Sequence, residues 1–141
     1  MIRIQQTDDV ETVHELDRAC FPDDECEDFS GQELWIAHNG DEEVGFCSCR
    51  LQDPGHEAYI VRMGVLPIAR GARLQERLYR TVLRFWSARG VETLRTYVSA
   101  DNTPSLRNLV RAGMLPYSSF RGNQGQMFIN LEKAIRRKKA A

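Results

Sequence analysis

The stretch VLPIARGARLQERL, residues 65–78, runs from the apolar end of a strand through a glycine-containing turn into a helical pattern. We predict a helix from Arg70 to Arg89, with Gly90 as its C-terminal cap. Its apolar residues share one face: Leu74, Leu78, Val82 and Phe85. Four arginines, here called the arginine stripe, lie on nearly the opposite face: Arg73, Arg77, Arg80 and Arg84. Because a helix start leaves about four backbone N–H groups unpaired and is partly positive, the turn is predicted to bind an anion such as a pyrophosphate.

The elements around this helix predict an α/β (α+β) fold, with a mixed sheet and helices on both faces. The strand IRIQ precedes a helix that a capping box of Asp8 and Glu11 opens and Pro22 ends. After the acidic segment DDECED we predict a short second helix, and LWIAH and EVGFCSCRL then form a β-hairpin across the turn NGD. The strand EAYIVRMGV then leads to the long helix. TLRTYV, a short helix at residues 104–112, LPYSSF and QMFINL complete the order.

The 141 residues fit a single domain, which we place at residues 1–133, followed by a basic, frayed tail at 134–141. No stretch approaches the ~18 uncharged apolar residues of a membrane helix, and the N-terminus lacks the apolar core of a signal peptide. These features predict a soluble cytoplasmic protein. The four cysteines and three histidines show no zinc-ligand spacing, so we predict reduced, mostly buried thiols and no metal.

The net charge of −1 hides a division along the chain. Residues 1–57 contain 16 acids and 3 bases, a charge of −13, whereas residues 58–141 contain 4 acids and 16 bases, a charge of +12. Two solvated surfaces would explain this division. The other interpretation is that the basic part holds an anion, while the acidic part, including FPDDECEDF at 21–29, attracts a cation.

The element order resembles the GNAT superfamily of acyl-CoA-dependent N-acetyltransferases, as do Val65-x-Pro67, Arg70-Gly71 and Asn102-x-x-Ser105 at the starts of two helices. The resemblance covers nearly the whole chain. It implies a mostly antiparallel, GNAT-like sheet that is splayed between the YIVRMGV and TLRTYV strands. Acetyl-CoA is then the co-substrate, its pantetheine arm lies in that gap, and the acyl group passes directly to an amine without a covalent intermediate.

The resemblance also implies which residues contact the coenzyme. The pantetheine arm would bind along the strand at Met63, Gly64 and Val65. The pyrophosphate would bind at the turn and the helix start: Arg70, Gly71, Ala72, Arg73, Leu74 and Gln75. Asn102 and Ser105 match their motif positions and would lie near the coenzyme, although helix capping explains both residues as well.

Two positions of the pyrophosphate turn depart from the family pattern, which has small residues where this chain has Arg73 and Gln75. If the small residue supplied a positive φ, a side chain there costs about 1–2 kcal/mol. Arg73 could offset this through charge-assisted hydrogen bonds, worth about 1.5–3 kcal/mol each. Because the two effects are comparable, we expect acyl-CoA still to bind.

Amide formation from a thioester needs a neutral amine, donors for the developing oxyanion and a proton for the leaving thiolate. By resemblance, the oxyanion donor is a backbone N–H between Met63 and Val65. The general base in many such enzymes is a glutamate on this strand, and Glu57 is the candidate here, with His56 as the alternative. A solvated carboxylate at the mouth of a strand is the other interpretation of Glu57.

The general acid is where the chain departs most from the family, because Leu109 occupies the position of the usual tyrosine and cannot donate a proton. Three other residues are candidate donors: Tyr97, Ser99 and Tyr117. Tyr97 and Tyr117 are equally compatible with half-buried residues of an ordinary sheet.

These features predict an N-acyltransferase that uses acetyl-CoA, with a cationic amine or basic peptide as acceptor. The alternative is a catalytically degenerate domain that binds a ligand or a protein through the old cleft. A nucleic-acid partner for the arginine stripe has less support, because interleaved aromatic residues are lacking and the chain is slightly acidic. We expect no membrane partner, and a homodimer is compatible with the family.

Overall fold

The structure is a computed structural model that describes residues 1–53, 55–71 and 73–135. Its strands are β1 (Ile2–Thr7), β2 (Glu33–Asn39), β3 (Glu42–Asp53), β4 (Glu57–Val65), β5 (Thr93–Ser99), β6 (Leu115–Arg121) and β7 (Met127–Ala134). Its helices are α1 (Val10–Cys20), α2 (Leu74–Ala88) and α3 (Thr103–Arg111), and Pro67–Ala69 forms a 3₁₀ turn.

The strands are hydrogen-bonded in the order β1-β2-β3-β4-β5-β7-β6. β4 and β5 are parallel, while β1 with β2, β2 with β3, β5 with β7 and β6 with β7 are antiparallel. This mixed, mostly antiparallel sheet with its helices confirms the predicted fold class. None of the helices in the described ranges has the length and hydrophobicity that crossing a bilayer requires.

The chain divides into two compact units. The first comprises Met1–Arg50 and Ile60–Val82, and the second comprises Leu51–Tyr59 and Leu83–Ala141. The single domain at residues 1–133 stays a prediction. The tail was predicted to begin too early, because Ala134 still belongs to β7 and the Ile135 N–H donates to the Glu92 carbonyl at 2.7 Å. Residues 136–141 lie outside the described residues.

In the first unit, a helix packs against each face of β3, because successive side chains of the strand point to opposite faces. Val13 and Leu16 of α1 belong to the same buried cluster as Phe46 of β3. Gly45, the neighbouring residue on β3, points to the opposite face. A Cβ added there would lie 3.4 Å from Cδ2 of Leu74 in α2. Helices therefore lie on both faces of this strand, as predicted.

In the second unit, β5 has one buried and one open face. Its buried residues alternate along the strand: Leu94, Thr96 and Val98. Arg95, Tyr97 and Ser99 occupy the opposite face and remain partly or largely exposed. α3 contacts β5, and its Leu109 is buried.

The long helix begins at Leu74 and not at Arg70, so the predicted start was wrong. Two residues before the helix have a positive φ, Gly71 at 92° and Arg73 at 56°. Because a positive φ is incompatible with a right-handed helix, the chain enters the helix only after Arg73. At the other end, Gly90 has a φ of 77°, as expected of a C-terminal cap.

Two predictions for the N-terminal part were also wrong. The residue that caps α1 is Asp9 and not Asp8, and it accepts hydrogen bonds from the Thr12 hydroxyl at 2.6 Å and the Thr12 N–H at 3.1 Å. These bonds, the hydroxyl bond first, lower the pKa of the Asp9 carboxyl. Residues 21–32 form turns, bends and irregular backbone instead of a second helix. The helix was predicted to follow DDECED, where Gly31 has a φ of 75°, which a right-handed helix does not allow.

Candidate functional site

The turn before α2 presents main chain to its surroundings. A Cβ added to Gly71 would meet no atom of the other described residues within 4 Å, apart from its chain neighbours, so the backbone there is open. The N–H groups of Leu74 and Glu76 lie in the first turn of α2, where the geometry of a helix supplies no carbonyl partner. A partial positive charge accompanies these groups. The turn therefore fits a diphosphate.

Arg73 is the unusual residue of this turn. Its φ of 56° lies in the left-handed region, which costs a residue with a side chain about 1–2 kcal/mol. The side chain is 75% exposed, and its Nη1 lies 3.9 Å from the Glu76 carboxylate. The position where the family pattern has a small residue thus does require a positive φ in this chain, and an exposed guanidinium stands beside the helix start.

The residues next to Arg73 differ in how much of each side chain a ligand could reach. Leu74 is 2% exposed, so only its main chain can contact a ligand. Gln75 is partly buried, and Ala72 lies outside the described residues. Two further members of the arginine stripe are engaged within the protein, because Arg77 Nη2 donates to the Ile2 carbonyl at 3.2 Å and Arg80 pairs with Glu76 at 2.9 Å.

The C-terminal part of β4 is tightly packed. A Cβ added to Gly64 would lie 2.7 Å from Cε1 of Phe46 and 2.9 Å from Sγ of Cys20, so a glycine is needed there. Burial raises the pKa of the Cys20 thiol to about 11, which leaves it protonated near neutral pH and a poor nucleophile. The Val65 carbonyl accepts a hydrogen bond from Nε of Arg70 at 3.2 Å, which fixes the path of the chain after β4.

In the second unit, three charged side chains lie together on the open face of the sheet around β5: Glu57, Arg95 and Glu132. Nη1 of Arg95 lies 2.6 Å from Oε1 of Glu57, and Nη2 lies 3.8 Å from Oε1 of Glu132. The guanidinium also lies 5.3 Å from the ring centroid of Tyr117. Glu57 is therefore ion-paired and not merely solvated. The alternative base His56 lies 3.4 Å from the Glu92 carboxylate through its Nδ1.

The three candidate proton donors lie in different surroundings within this unit. Tyr97 and Tyr117 are both exposed, at 45% and 48%. The Tyr97 ring contacts Tyr59, Phe120 and Phe128. The Ser99 hydroxyl accepts from the Asp101 N–H at 3.3 Å. The structure thus joins Tyr117 to Glu57 through Arg95, while Tyr97 belongs to a group of rings.

The motif residues Asn102 and Ser105 form the N-terminal cap of α3. Asn102 is its N-cap, and the Asn102 side chain accepts from the Ser105 N–H at 3.3 Å. This capping role is the alternative that the sequence left open, and it does not exclude a further contact. Leu109 is only 6% exposed, so the residue at the family's tyrosine position is part of the core.

The acidic segment is tied to β4 by a residue that the sequence analysis missed. Arg62 Nη1 donates to both carboxylate oxygens of Asp17, at 2.9 and 3.1 Å, and Arg62 Nη2 lies 3.6 Å from Asp24. Burial lowers the pKa of Arg62, but the hydrogen bond and charge of Asp17 more than compensate and raise it. The available signal was an arginine inside an apolar strand, which needs a carboxylate partner. Arg95 within TLRTYV gave the same signal.

The charged residues of the described ranges do not form a metal centre. No group of three or more His, Cys, Asp or Glu side chains in these ranges is arranged to hold an ion. All four cysteines are free. The Cys47 and Cys49 sulfurs are 4.0 Å apart and buried on one face of β3, whereas Cys26 is exposed.

Comparison with known proteins relates this chain to acyl-transferring enzymes. The sequence model of the acetyltransferase (GNAT) family matches residues 1–114. A mycothiol acetyltransferase of Streptomyces bingchenggensis (strain BCW-1) is 34% identical over 93 residues, which are 64% of this chain. The match spans only 30% of that relative's length.

Solved structures share the fold at low sequence identity. The ribosomal-protein-S18-alanine N-acetyltransferase of Escherichia coli superposes with a TM-score of 0.85 at 15% identity, covering 99% of this chain and 97% of that one. A Bacillus subtilis acetyltransferase in complex with CoA gives a TM-score of 0.83 at 15% identity, covering 96% of this chain and 100% of that one.

Proposed function

Because this chain belongs to the acetyltransferase (GNAT) family, we propose that it transfers an acetyl or related acyl group from acetyl-CoA to an amine. The observation that carries the proposal is the open main-chain turn at Gly71 and Arg73, directly before the N-terminus of α2. A site of this kind suits the diphosphate of acyl-CoA and not an amine acceptor. Four free cysteines support a reducing compartment such as the cytoplasm.

The first unit would hold the coenzyme. The N–H groups at the start of α2 bind the diphosphate, with Gly71 allowing close approach and Arg73 adding a positive charge. Backbone groups of Met63, Gly64 and Val65 bind the pantetheine arm. Bound acetyl-CoA supplies the thioester carbonyl, and a β4 N–H in the same stretch stabilises the negative charge that develops on its oxygen. The transfer to the amine is direct, without a covalent intermediate.

We assign proton transfer to Glu57 and to one of the candidate donors. The ion pair with Arg95 uses Oε1 of Glu57, and we assign the role of base to the carboxylate's other oxygen, Oε2, directly or through a water molecule. The leaving thiolate would receive a proton from one of three candidate donors: Tyr97, Ser99 or Tyr117. A thiol with an ordinary pKa near 8.5 is already a fair leaving group, so loss of the family's tyrosine at Leu109 is tolerable.

The acceptor would be a cationic amine or a basic peptide. Its support is the acidic segment at residues 21–29, whose Asp24 lies against the Arg62–Asp17 pair. The long-range field of this segment favours the approach of a cation, and this preference should weaken as ionic strength rises. The alternative is a domain that binds CoA or a protein without catalysis, which the burial of Leu109 and the ion pair of Glu57 favour.

Three variants of Arg73 test the coenzyme site. Arg73→Gly removes both the strain and the charge, Arg73→Gln removes the charge alone, and Arg73→Glu reverses it. Because main-chain groups would remain, Arg73→Gly should still bind CoA, about tenfold more weakly than the wild type through the loss of the guanidinium, and Arg73→Glu should bind about tenfold or more weakly again. Arg73→Gly should also unfold with about 1 kcal/mol more free energy than Arg73→Gln.

The measurements are isothermal titration with CoA and urea denaturation of each variant. Wild-type protein at a CoA concentration of 100 times Kd should be stabilised by about 2.7 kcal/mol. Equal affinity of all three variants would place the diphosphate elsewhere. Binding of CoA without acetylation of any amine in a broad panel would support the non-catalytic alternative.

A further inference from the structure

Four aromatic side chains form a continuous group on the open face of the second unit, here called the ring cluster: Tyr59, Tyr97, Phe120 and Phe128. The Tyr97 centroid lies 6.2 Å from Tyr59, 5.5 Å from Phe120 and 5.4 Å from Phe128. Phe120 and Phe128 stack at 5.1 Å with an interplanar angle of 22°. Strands β4, β5, β6 and β7 each contribute one ring, so the sheet fixes their arrangement.

The ring cluster is accessible from solvent and is not a core. Tyr97 is 45% exposed and Phe120 is 38% exposed, although each contacts two or more rings. The buried core contributed by β5 lies on its other face, at Leu94 and Val98. Contiguous exposed apolar surface of this kind is typical of a binding site.

Negative charge lies directly beside the rings. Arg95 pairs in register with Tyr59 on β4 and with Glu132 on β7, and it is two residues from Tyr97 on the same face. Glu57 and Glu132 share this one guanidinium, which leaves the three groups with one net negative charge. The 5.3 Å contact between Arg95 and the Tyr117 ring shows that this face can hold a cation against an aromatic ring.

We propose that the ring cluster binds an apolar, preferably aromatic, substituent carried next to the acceptor's amine, while the net negative charge of Glu57, Arg95 and Glu132 attracts the ammonium group. The site thus selects cationic amines with a large apolar body over small or purely polar ones. This inference rests on the proposed function and names the substrate class that the second unit accepts.

The test compares two acceptors that differ only in the side chain, phenylalanine amide and glycine amide. With wild-type protein and saturating acetyl-CoA, kcat/KM should be about tenfold or more higher for phenylalanine amide. Phe120→Ala should abolish most of this preference, and Phe120→Leu, which keeps the strand apolar, should retain part of it. Leu115→Ala is the matched control, because Leu115 is 67% exposed on the same strand β6 but lies at its other end.

The KM for acetyl-CoA should not change in any of these variants, since the coenzyme is assigned to the turn at Gly71 and Arg73 and to the start of α2. Equal kcat/KM for the two amides in the wild type, or an unchanged preference in Phe120→Ala, would overturn the inference and leave the acyltransferase proposal intact. Loss of preference in Leu115→Ala would also count against the ring cluster.

A binding measurement separates this inference from the proposed function. Titration of phenylalanine amide should shift the aromatic proton resonances of Tyr97, Phe120 and Phe128, while glycine amide at the same concentrations should leave them unchanged. If no amine is acetylated but these shifts occur, the proposed transfer fails and the binding site stands. Absence of the shifts overturns the inference whatever the activity.

Discussion

Replacing Glu57 with glutamine is expected to lower kcat by about 10²–10⁴-fold, because it removes the carboxylate assigned to accept the proton of the attacking amine. Glutamine has nearly the same size, and Arg95 retains Glu132 at 3.8 Å as a carboxylate partner. The fold and the affinity for CoA should therefore persist. The measurement is steady-state kinetics at saturating acceptor, combined with calorimetric titration of CoA.

Glu132→Gln provides the matched control for this prediction. It removes the other carboxylate from the same guanidinium without removing the assigned base, so its kcat should stay close to the wild-type value even if the KM for a cationic acceptor rises. A Glu57→Gln variant with wild-type kcat would show that the ion pair with Arg95 is structural only. Equal losses in both variants would point to the charge of the group and not to proton transfer.

Replacing Arg62 with methionine is expected to lower the free energy of unfolding by about 3–5 kcal/mol, because a buried carboxylate is left without its partner. The Asp17 side chain is only 5% exposed, and both of its oxygens accept from Arg62 Nη1. The same substitution frees Asp24 and the ring of Phe21, which lies 5.3 Å from the guanidinium. Urea denaturation measures the loss.

The double variant Asp17→Leu/Arg62→Met tests whether pairing is the cause. Replacing both charges with apolar side chains removes the unpaired group, so the double variant should regain most of the stability lost in Arg62→Met. Single and double variants that all lose the same free energy would show that packing, and not the ion pair, accounts for the effect.

Local patterns identified most of the elements in this chain. EAYIVRMGV and β4 coincide residue for residue, and NGD connects β2 and β3 as predicted, because strand periodicity and turn residues are local properties. The start of α2 was placed too early because apolar spacing does not reveal φ at a residue such as Arg73. The second helix predicted after DDECED was wrong for the same reason, because the sequence pattern does not reveal that Gly31 has a φ of 75°.

Local sequence patterns predicted less of the candidate site than of the fold. Sequence reasoning singled out Glu57 and Arg73 through the positions they occupy in a family pattern, and the structure adds their partners. Arg62 and Asp17 are 45 residues apart, and no local pattern links an arginine in one strand to an aspartate in a preceding helix. The ring cluster draws on four strands, so it exists only once the sheet is assembled.

The binding of a diphosphate by main-chain amides at the start of α2 is tested most directly by amide ¹H–¹⁵N spectra recorded during a CoA titration. We predict that the largest shifts occur at the N–H groups of Gly71, Leu74, Gln75 and Glu76, and that they persist in Arg73→Gly. If saturating CoA shifts other amide resonances but leaves the resonances of these four amides unchanged, the assignment is contradicted and, with it, the proposed coenzyme site.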